Sequence, residues 1–388
     1  MSLLSFLGLG KREAPLDRTT IYCDPDSVNA RAIFTGAGYR LIEQPTEADF
    51  LWIREGYQKW ANRLKPFQLL NHFPNERALT DKGHLAEHLQ QFDQVQTKYD
   101  FGAKDLTQET YCLYKPEECA KFFAQLPARD SKENVWILKP RAESQGEGIF
   151  IVWEFEELRK VFANPRKYLY DPAERPYVIQ KYIKNPLLLD GRKSEIRIYW
   201  LIASLDPLLV LIYREGTVRL NSRPFSLEDF DNTLIHVTNV FQQKNHPEYD
   251  SSIILKWSFS YWESYLINEL KLAPENYVED HLKPRLKRML SFVVDSARES
   301  LAKHSDTGLF FGLLGADIIF DDTLHPWLTE IQKGPGLSFD DPIKEKVIPP
   351  MLSEAGAIMM EVRRRKRDVL SLEKLDAVKN FEWVVHET

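Results

Sequence analysis

The stretch from Gly315 to Gly336 predicts a β-hairpin, and it constrains the fold of this chain more than any other segment. Asp317 lies within one apolar run, an Asp-Asp-Thr turn follows, and a second apolar run carries Glu330 and Gln332 two residues apart. Residues two apart face the same side of a strand, so the hairpin gathers three oxygen-bearing side chains. Mg²⁺ prefers such oxygens together with nucleotide phosphates. The hairpin therefore predicts a magnesium site; the alternative is solvated carboxylates beside an ordinary hairpin.

A second segment, residues 135–152, predicts two strands that flank a glycine loop. Lys139 closes the first apolar run, and Gly146 and Gly148 allow the backbone to approach a phosphate and present its N–H groups. The loop is not a Walker A sequence, and it is not a Rossmann loop because the apolar run after Gly148 is typical of a strand. The segment is compatible with a triphosphate site, although the motif alone is weak.

A third segment places three charged side chains on one face of a predicted strand. Lys193, Glu195 and Arg197 alternate with Ser194 and apolar residues, so they converge on a single surface. The alternative is an exposed strand face with surface salt bridges. Further along, Arg219 and the tetrad His236-Val-Thr238-Asn239 bring polar groups into otherwise strand-like sequence.

The order of these blocks resembles that of the tubulin tyrosine ligase and tubulin tyrosine ligase-like family, which has the ATP-grasp fold. The resemblance covers roughly residues 70 to 340. The matching blocks are Leu79-Thr-Asp-Lys82 (similar to the family's L-T-R-K), the loop from Lys139 to Gly148, Gln180-Lys-Tyr-Ile-x-x-Pro-Leu-Leu, Lys193-x-Glu-x-Arg-x-Tyr, Tyr213-Arg-Glu-Gly-x-x-Arg219, His236-x-Thr-Asn, and Asp317 through Gln332.

The resemblance implies an α/β (α+β) fold with ATP held in the cleft between a central and a C-terminal part. The expected divisions are a flexible N-terminus at 1–18, an N-terminal α/β subdomain at 19–80, a central ATP-grasp subdomain at 81–183 and a C-terminal subdomain at 184–388. Long helices are expected at 257–271 and 278–303. The aromatic residues Trp257, Phe259, Trp262 and Tyr265 are interpreted as the buried face of the first helix, with a stacking platform as the alternative.

The resemblance also implies roles for individual residues. The nucleotide would contact Lys82, Lys139, Ser144, Gly146, Gly148, Gln180, Lys181, Tyr182, Ile183, Lys193, Thr238 and Asn239. Lys193, Glu195, Arg197 and Arg219 would be catalytic. In the family, basic groups such as Lys193, Arg197 and Arg219 bind phosphates, the developing acyl phosphate and the carboxylate of the incoming amino acid. Magnesium would be held by Asp317, Glu330 and Gln332.

The implied reaction is ATP-dependent ligation of a free amino acid to a carboxylate of a protein or peptide, possibly a tubulin tail, through an acyl phosphate. The family usually has Asp where this chain has Glu195 and Asn where it has Gln332, so each side chain is one methylene longer. A catalytically impaired ATP-binding scaffold and a ligase for a small metabolite therefore stay open as alternatives. The amino acid added, whether tyrosine, glutamate, glycine or another, also stays open.

Composition predicts a cytoplasmic monomer without membrane or nucleic-acid partners. The chain has 388 residues, of which 43% are hydrophobic and 28% charged, and its net charge is −6. The apolar opening, Met1 to Gly10, lacks a basic n-region and is interpreted as a docking or disordered terminus rather than a signal peptide. Cys23, Cys112 and Cys119 lie outside the motifs and are expected to be reduced thiols. The basic run Arg363–Arg367 is expected either to cap a helix end or to dock an acidic partner.

Overall fold

The computed structural model describes residues 19–142, 146–164, 167, 170–303, 308–339 and 341–387. These residues form three sheets surrounded by helices, and the mixed α/β class predicted from the sequence is confirmed. Among them, no helix is both long enough and apolar enough to cross a bilayer.

The strands, in chain order, are β1 (Thr20–Cys23), β2 (Arg40–Leu41), β3 (Phe50–Trp52), β4 (Leu69–Leu70), β5 (Thr110–Cys112), β6 (Trp136–Pro140), β7 (Phe150–Val152), β8 (Tyr177–Lys181), β9 (Leu188–Leu189), β10 (Arg192–Leu205), β11 (Leu208–Leu220), β12 (Lys256–Ser258), β13 (Leu309–Phe310), β14 (Gly312–Phe320), β15 (Pro326–Gln332) and β16 (Phe381–His386).

The helices, in chain order, are α1 (Val28–Gly36), α2 (Gln58–Ala61), α3 (Arg77–Thr80), α4 (Lys82–Val95), α5 (Pro116–Gln125), α6 (Glu156–Ala163), α7 (Thr233–His236), α8 (Val240–Asn245), α9 (Phe259–Asn268), α10 (Lys283–Ala302) and α11 (Pro342–Arg367). A π-helical turn at Val278–Leu282 leads directly into α10.

The N-terminal sheet is parallel and has the order β13-β4-β3-β1-β2. Helix α1 packs against it through a cluster of aromatic rings, in which Phe34 and Phe50 lie 5.4 Å apart between ring centroids. Strand β13 comes from residues 309–310, far along the chain from the other four strands. Residues from the C-terminal half therefore complete the N-terminal α/β sheet.

The central sheet is antiparallel and has the order β5-β8-β6-β7. Side chains alternate across its strands, so Trp136 and Leu138 enter a core with Phe122, whereas Lys139 faces the other side. Strands β6 and β7 form the hairpin predicted around the glycine loop. The alternation leaves one face of this sheet for the apolar core and the other for the cleft described below.

The largest sheet has seven strands in the order β12-β11-β10-β14-β15, with β9 paired to β10 and β16 paired to β11. Along β10, Ile198 and Trp200 face the core that contains α10, whereas Tyr199 and Leu201 pack toward α11. The face of Tyr199 also carries the predicted trio Lys193, Glu195 and Arg197. All three are buried, with 3 to 8% of their surface exposed, so the interpretation of an exposed salt-bridged face is wrong.

The aromatic segment near residue 257 differs in one detail from the prediction. The helix begins at Phe259, because Trp257 lies on β12 opposite Val218 and the Ser258 hydroxyl accepts a hydrogen bond from the N–H of Tyr261. Trp257 and Trp262 are buried in the core. The interpretation as a buried face is confirmed, although Trp257 contributes from a strand.

The basic run Arg363–Arg367 ends α11 and contacts its own chain. The partners are Asp49 for Arg363 at 2.6 Å, Glu361 for Arg364 at 3.9 Å and for Arg365 at 2.7 Å, Ser204 for Lys366 at 2.8 Å, and Asp368 for Arg367 at 2.8 Å. The run is thus paired within the chain, and its docking to an acidic partner stays a prediction.

A buried carboxylate holds the chain that leads into β16. Glu354 on α11 accepts hydrogen bonds at its Oε1 from the backbone N–H groups of Lys379, Asn380 and Phe381, at 2.7 to 2.9 Å. From there β16 pairs with β11, from Phe381 opposite Tyr213 to His386 opposite Leu209. The segment after α11 thereby becomes part of the largest sheet.

Candidate active site

A cleft lies between the central sheet and the seven-stranded sheet. Its lining includes ten of the residues singled out in the sequence: Lys82, Lys139, Gly146, Lys193, Glu195, Arg219, Thr238, Asn239, Asp317 and Glu330. A smaller cavity shares Lys82 and Lys139 with it and is lined further by Gln180 and by apolar residues of α4. Side chains that are distant in sequence thus meet in one concave, charged site, which is the usual setting of a ligand pocket.

Two carboxylates stand side by side on the β14–β15 hairpin. Asp317 is paired directly with Glu330 across the antiparallel ladder. Gln332 donates from Nε2 to Oε1 of Glu330 at 2.5 Å and to Oδ2 of Asp317 at 3.4 Å. Burial alone would raise the pKa of Glu330, but the Lys82 ammonium and the hydrogen bond from Gln332 outweigh it and lower that pKa to about 2. Glu330 is therefore anionic throughout the physiological range.

Two guanidinium groups surround Asp317. Arg197 donates from Nη2 to Oδ2 of Asp317 at 2.8 Å and from Nε to Oδ1. Arg219 donates from Nη2 to the same Oδ1 and lies 3.0 Å from Oε1 of Glu195. Burial and the Asp317 carboxylate raise the pKa of Glu195, although Arg219 opposes this shift. The result is a buried network in which Asp317 shares its oxygens between two cations.

Three lysine ammonium groups reach the cleft from separate elements. Lys139 donates to Oε1 of Gln180 at 2.8 Å, Lys82 lies 3.4 Å from Oε2 of Glu330, and Lys193 donates to the carbonyl of His236 at 3.0 Å. Burial lowers the pKa of Lys139 to about 8 and that of Lys193 to about 7. An anion bound between these groups would offset that cost, so the cleft is suited to a polyanionic ligand.

Lys82 owes its position to a clamp that the sequence did not reveal. Asp81 caps α4 by accepting from the N–H groups of Gly83 and His84, both at 3.0 Å. Arg141, which follows β6, donates from Nε to both carboxylate oxygens of Asp81 at 2.7 and 2.8 Å. The N–H of Lys82 in turn donates to the carbonyl of Arg141 at 3.3 Å. The start of α4 is thus tied to the base of the glycine loop; only Asp81, as an N-cap residue type, could have signalled this.

The described part of the glycine loop requires glycine at two positions. Gly146 and Gly148 have φ of +80° and +69°, which L side chains rarely adopt. A Cβ at Gly146 would lie 3.0 Å from Cγ of Gln242 and 3.2 Å from Val237, so the loop lies against the segment between α7 and α8. Ser144, which the sequence assigned to the nucleotide, lies outside the described residues.

The segment from His236 to Asn239 is not strand-like as the sequence suggested. It joins α7 to α8, and Asn239 caps α8 by accepting from the N–H groups of Phe241 and Gln242 at 2.9 and 3.3 Å. Side-chain oxygens of asparagine compete for backbone N–H groups at helix starts, and this preference wins here over the β-branched neighbours. Thr238 and Asn239 nevertheless line the cleft.

Several predicted residues do not line the cleft. Since Gln180 faces the cleft side of β8, Lys181 points the other way, where it donates to Oδ1 of Asn134 at 2.5 Å and lies over the Trp136 ring. Tyr182, Ile183, Gly148, Arg197 and Gln332 are likewise absent from the described lining. Arg197 and Gln332 reach the site through Asp317 and Glu330, and Tyr182 reaches it through Lys193.

The hairpin fits the metal that the sequence suggests. Asp317 and Glu330 bring two carboxylates together, and Gln332 adds an amide whose nitrogen faces both of them. The hairpin has no sulfur or imidazole donor, and carboxylate and amide oxygens are the ligands that Mg²⁺ prefers. Among the described residues, no group of three or more His, Cys, Asp or Glu side chains is arranged to hold a metal ion. The groups on this hairpin that could hold a magnesium ion are two carboxylates and one amide.

Comparison with known proteins gives a consistent group of relatives. The model of the tubulin-tyrosine ligase family matches residues 61–366. A probable beta-tubulin polyglutamylase of Tetrahymena thermophila is 28% identical over 340 residues, which cover 84% of this chain and 27% of that protein. The probable tubulin polyglutamylases TTLL2 of human and mouse are 30% and 32% identical, over 72% and 73% of this chain and 44% and 49% of their own lengths. This chain spans less than half the length of each of these three relatives.

Proposed function

The chain belongs to the tubulin-tyrosine ligase family, and on that premise we propose that it is an ATP-dependent ligase that joins a free amino acid to a carboxylate of a protein or peptide. The observation that carries the proposal is the cleft itself. Three lysines and Arg219 face two hairpin carboxylates there. Such a cleft suits a nucleotide triphosphate and the negatively charged groups of two further substrates.

In this proposal, Lys82, Lys139 and the glycine loop hold the ATP phosphates, and Gln180 with the adjoining cavity receives the base. Asp317, Glu330 and Gln332 would hold magnesium, which when bound neutralises charge on the transferred phosphoryl group. Arg197 acts through Asp317, whose carboxylate it orients by two hydrogen bonds. The guanidinium group of Arg219 contacts Glu195 and Asp317 and also lines the cleft, so it is placed to bind the carboxylate of a substrate.

The chemistry runs in two steps without a covalent enzyme intermediate. An oxygen of the acceptor carboxylate attacks the γ-phosphorus of ATP, which forms an acyl phosphate and releases ADP. The amine of the free amino acid then attacks the acyl carbon, the bond from that carbon to the phosphate oxygen breaks, and inorganic phosphate leaves as the amine loses a proton. The cations Lys139, Lys193 and Arg219 stabilise the negative charge that moves through both transition states.

We further propose glutamate as the amino acid and a tubulin tail as the acceptor, because the relatives are named as tubulin polyglutamylases. The test is mass spectrometry of tubulin and of a carboxylate-bearing peptide after incubation with ATP, Mg²⁺ and each of the twenty amino acids. The expected product is heavier by one or more glutamyl residues and forms only when ATP is present. ATP consumption without any added residue on either acceptor would contradict the ligase assignment.

The two lengthened side chains decide between an active ligase and an impaired scaffold. Both make specific contacts, Glu195 with Arg219 at 3.0 Å and Gln332 with Glu330 at 2.5 Å. Shortening either one withdraws an oxygen or nitrogen by one methylene from a charged partner, a hydrogen bond worth about 1.5–3 kcal/mol. We therefore expect Glu195→Asp and Gln332→Asn each to lower kcat/KM for ATP about tenfold or more.

The same two substitutions would raise activity if the protein is an impaired scaffold. If the longer side chains reflect loss of function, the family residues should restore geometry, and the double variant should be more active than the natural chain. Asp49→Glu, which changes a side chain by one methylene far from the cleft, in the pair with Arg363, controls for nonspecific effects. A gain of activity in the double variant would favour the scaffold interpretation.

A further inference from the structure

A chain of hydrogen bonds lies behind Lys193, where the central sheet meets the seven-stranded sheet. Lys193 Nζ lies 3.3 Å from the hydroxyl oxygen of Tyr182, which lies 2.8 Å from Nδ1 of His236. Nε2 of His236 lies 2.8 Å from the carbonyl oxygen of Asp229. Tyr182 follows β8, Lys193 belongs to β10 and His236 ends α7. These hydrogen bonds therefore join both walls of the cleft to the loop that carries Thr238 and Asn239.

The chemistry of the groups determines the direction of every bond in this chain. A carbonyl oxygen can only accept, so Nε2 of His236 carries a hydrogen. Burial lowers the pKa of His236 to about 4, although the bond to Asp229 opposes the shift, so the ring is neutral and Nδ1 is an acceptor. The Tyr182 hydroxyl must then donate to Nδ1. Its oxygen lone pairs are left to accept a hydrogen bond from Lys193.

Aromatic packing holds this arrangement in place. The His236 ring stacks on Phe230, with 5.6 Å between centroids and 24° between planes, and it meets the edges of Phe225 and Tyr182 at 6.0 and 5.7 Å. Tyr182 and His236 are 4% and 2% exposed. A ring packed on several sides cannot flip to exchange its two nitrogens without opening the core, so the tautomer is maintained.

The arrangement leaves one donor of Lys193 for a ligand. A lysine ammonium has three N–H groups, and two of them are directed to the Tyr182 hydroxyl and the His236 carbonyl, behind the cleft. The third is available to an anion in the cleft, whose lining includes Lys193. An ammonium group with two hydrogen bonds to the protein has a fixed orientation, whereas an unrestrained lysine side chain samples many rotamers.

We propose that Tyr182 and His236 are positioning residues that orient the Lys193 ammonium toward the reacting phosphate. The inference rests on the proposed function, because that function gives Lys193 its phosphate partner. It also assigns Tyr182 a different role from the nucleotide-base contact expected from the sequence. Burial lowers the pKa of Lys193, and the Glu195 carboxylate opposes that shift.

The kinetic test is Tyr182→Phe, which removes one oxygen and keeps the ring. We expect kcat for ligation to fall about tenfold. The KM for ATP should change less than twofold, because Lys82, Lys139 and the glycine loop are untouched. The matched control is Tyr39→Phe, which also removes a buried hydroxyl. Tyr39 lies in the core beside the N-terminal sheet, and its hydroxyl has no hydrogen-bond partner among the described residues. The control should retain the natural kcat.

A double variant separates positioning from general packing. In a Lys193→Met background, Tyr182→Phe should cause no further loss, because the group that it orients is gone. A second tenfold loss in that background would overturn the proposal, and so would a loss in Tyr182→Phe no greater than in Tyr39→Phe.

A readout independent of activity keeps the proposal separate from the proposed function. In the full chain labelled with ¹⁵N-histidine, and with the His236 signals assigned through His236→Gln, the ring nitrogens should show hydrogen on Nε2 and none on Nδ1. In Tyr182→Phe the Nδ1 signal should shift toward that of an unbonded ring nitrogen. Hydrogen on Nδ1 would refute the proposed series of hydrogen bonds, even if the protein is an active ligase. The expected spectrum in a protein without ligase activity would refute only the proposed function.

Discussion

We expect Glu330→Gln to form ADP at least ~100-fold more slowly than the natural chain, the scale of losing a main electrostatic stabiliser of a transition state. The substitution keeps the shape of the side chain and removes its charge. Glu330 is held anionic beside Lys82 and directly across the ladder from Asp317. Without its charge, the hairpin offers one carboxylate instead of two to a magnesium–nucleotide complex. The measurement is the rate of ADP formation at saturating ATP, Mg²⁺, amino acid and acceptor.

A control variant should show whether the loss of any carboxylate charge from the largest sheet slows ADP formation. Glu215→Gln makes the same change on β11, at a partly exposed position outside the described lining of the cleft. It should leave ADP formation within about twofold of the natural rate, since surface substitutions away from such features have small effects. Turnover close to normal in a folded Glu330→Gln protein would remove Glu330 from the proposed metal site.

The second large effect should be on stability. Asp317→Asn is expected to lower the free energy of unfolding by about 3–5 kcal/mol, the cost of breaking a buried ion pair by removing one partner. Asp317 is 1% exposed and is contacted by both Arg197 and Arg219. An asparagine turns one acceptor oxygen into a donor that faces a guanidinium group. Urea denaturation without ligands measures the change.

Asp322→Asn is the control for this variant, because Asp322 lies in the exposed turn of the same hairpin. Its unfolding free energy should stay within about 0.5 kcal/mol of the natural value. A drop of less than about 1 kcal/mol in Asp317→Asn would mean that the network contributes like a surface salt bridge. The buried arrangement of Asp317 between two guanidinium groups would then need to be revised.

Short-range patterns predicted the β14–β15 hairpin, the β6–β7 hairpin and the common face of Lys193, Glu195 and Arg197. Each depends on alternation along one or two neighbouring strands, which sequence displays directly. The burial of that charged face could not be predicted in the same way. Glu195 meets Arg219 on the next strand, but Asp317, the partner of Arg197, lies on β14, 120 residues along the chain. A sequence shows the charges but not which of them meet.

The contacts that the sequence did not reveal are hydrogen bonds between polar side chains and other groups. Arg141 is one residue past β6 and appears ordinary in sequence, yet it pairs with the cap of α4. The nucleotide contact that the motif implies for Tyr182 stays a prediction, but the hydrogen bond between its hydroxyl and His236 was not visible in the sequence. The start of α8 was misjudged because Asn239 provides a helix cap within apparently strand-like sequence. In all three cases, polar side chains satisfied backbone or side-chain groups that a period-based analysis does not consider.

The strand β16 has a practical consequence for how this protein can be shortened or fused. It occupies one end of the outer edge of β11, while β12 occupies the other, so the edge of the largest sheet is closed by two short strands. A chain cut after α11 would bare the β11 edge from Leu209 to Tyr213, an apolar stretch with open backbone donors and acceptors. Such an edge is a template for self-association through strand exchange. Preparations intended to stay monodisperse should therefore retain β16 together with Glu387, whose carboxylate is held by Arg298.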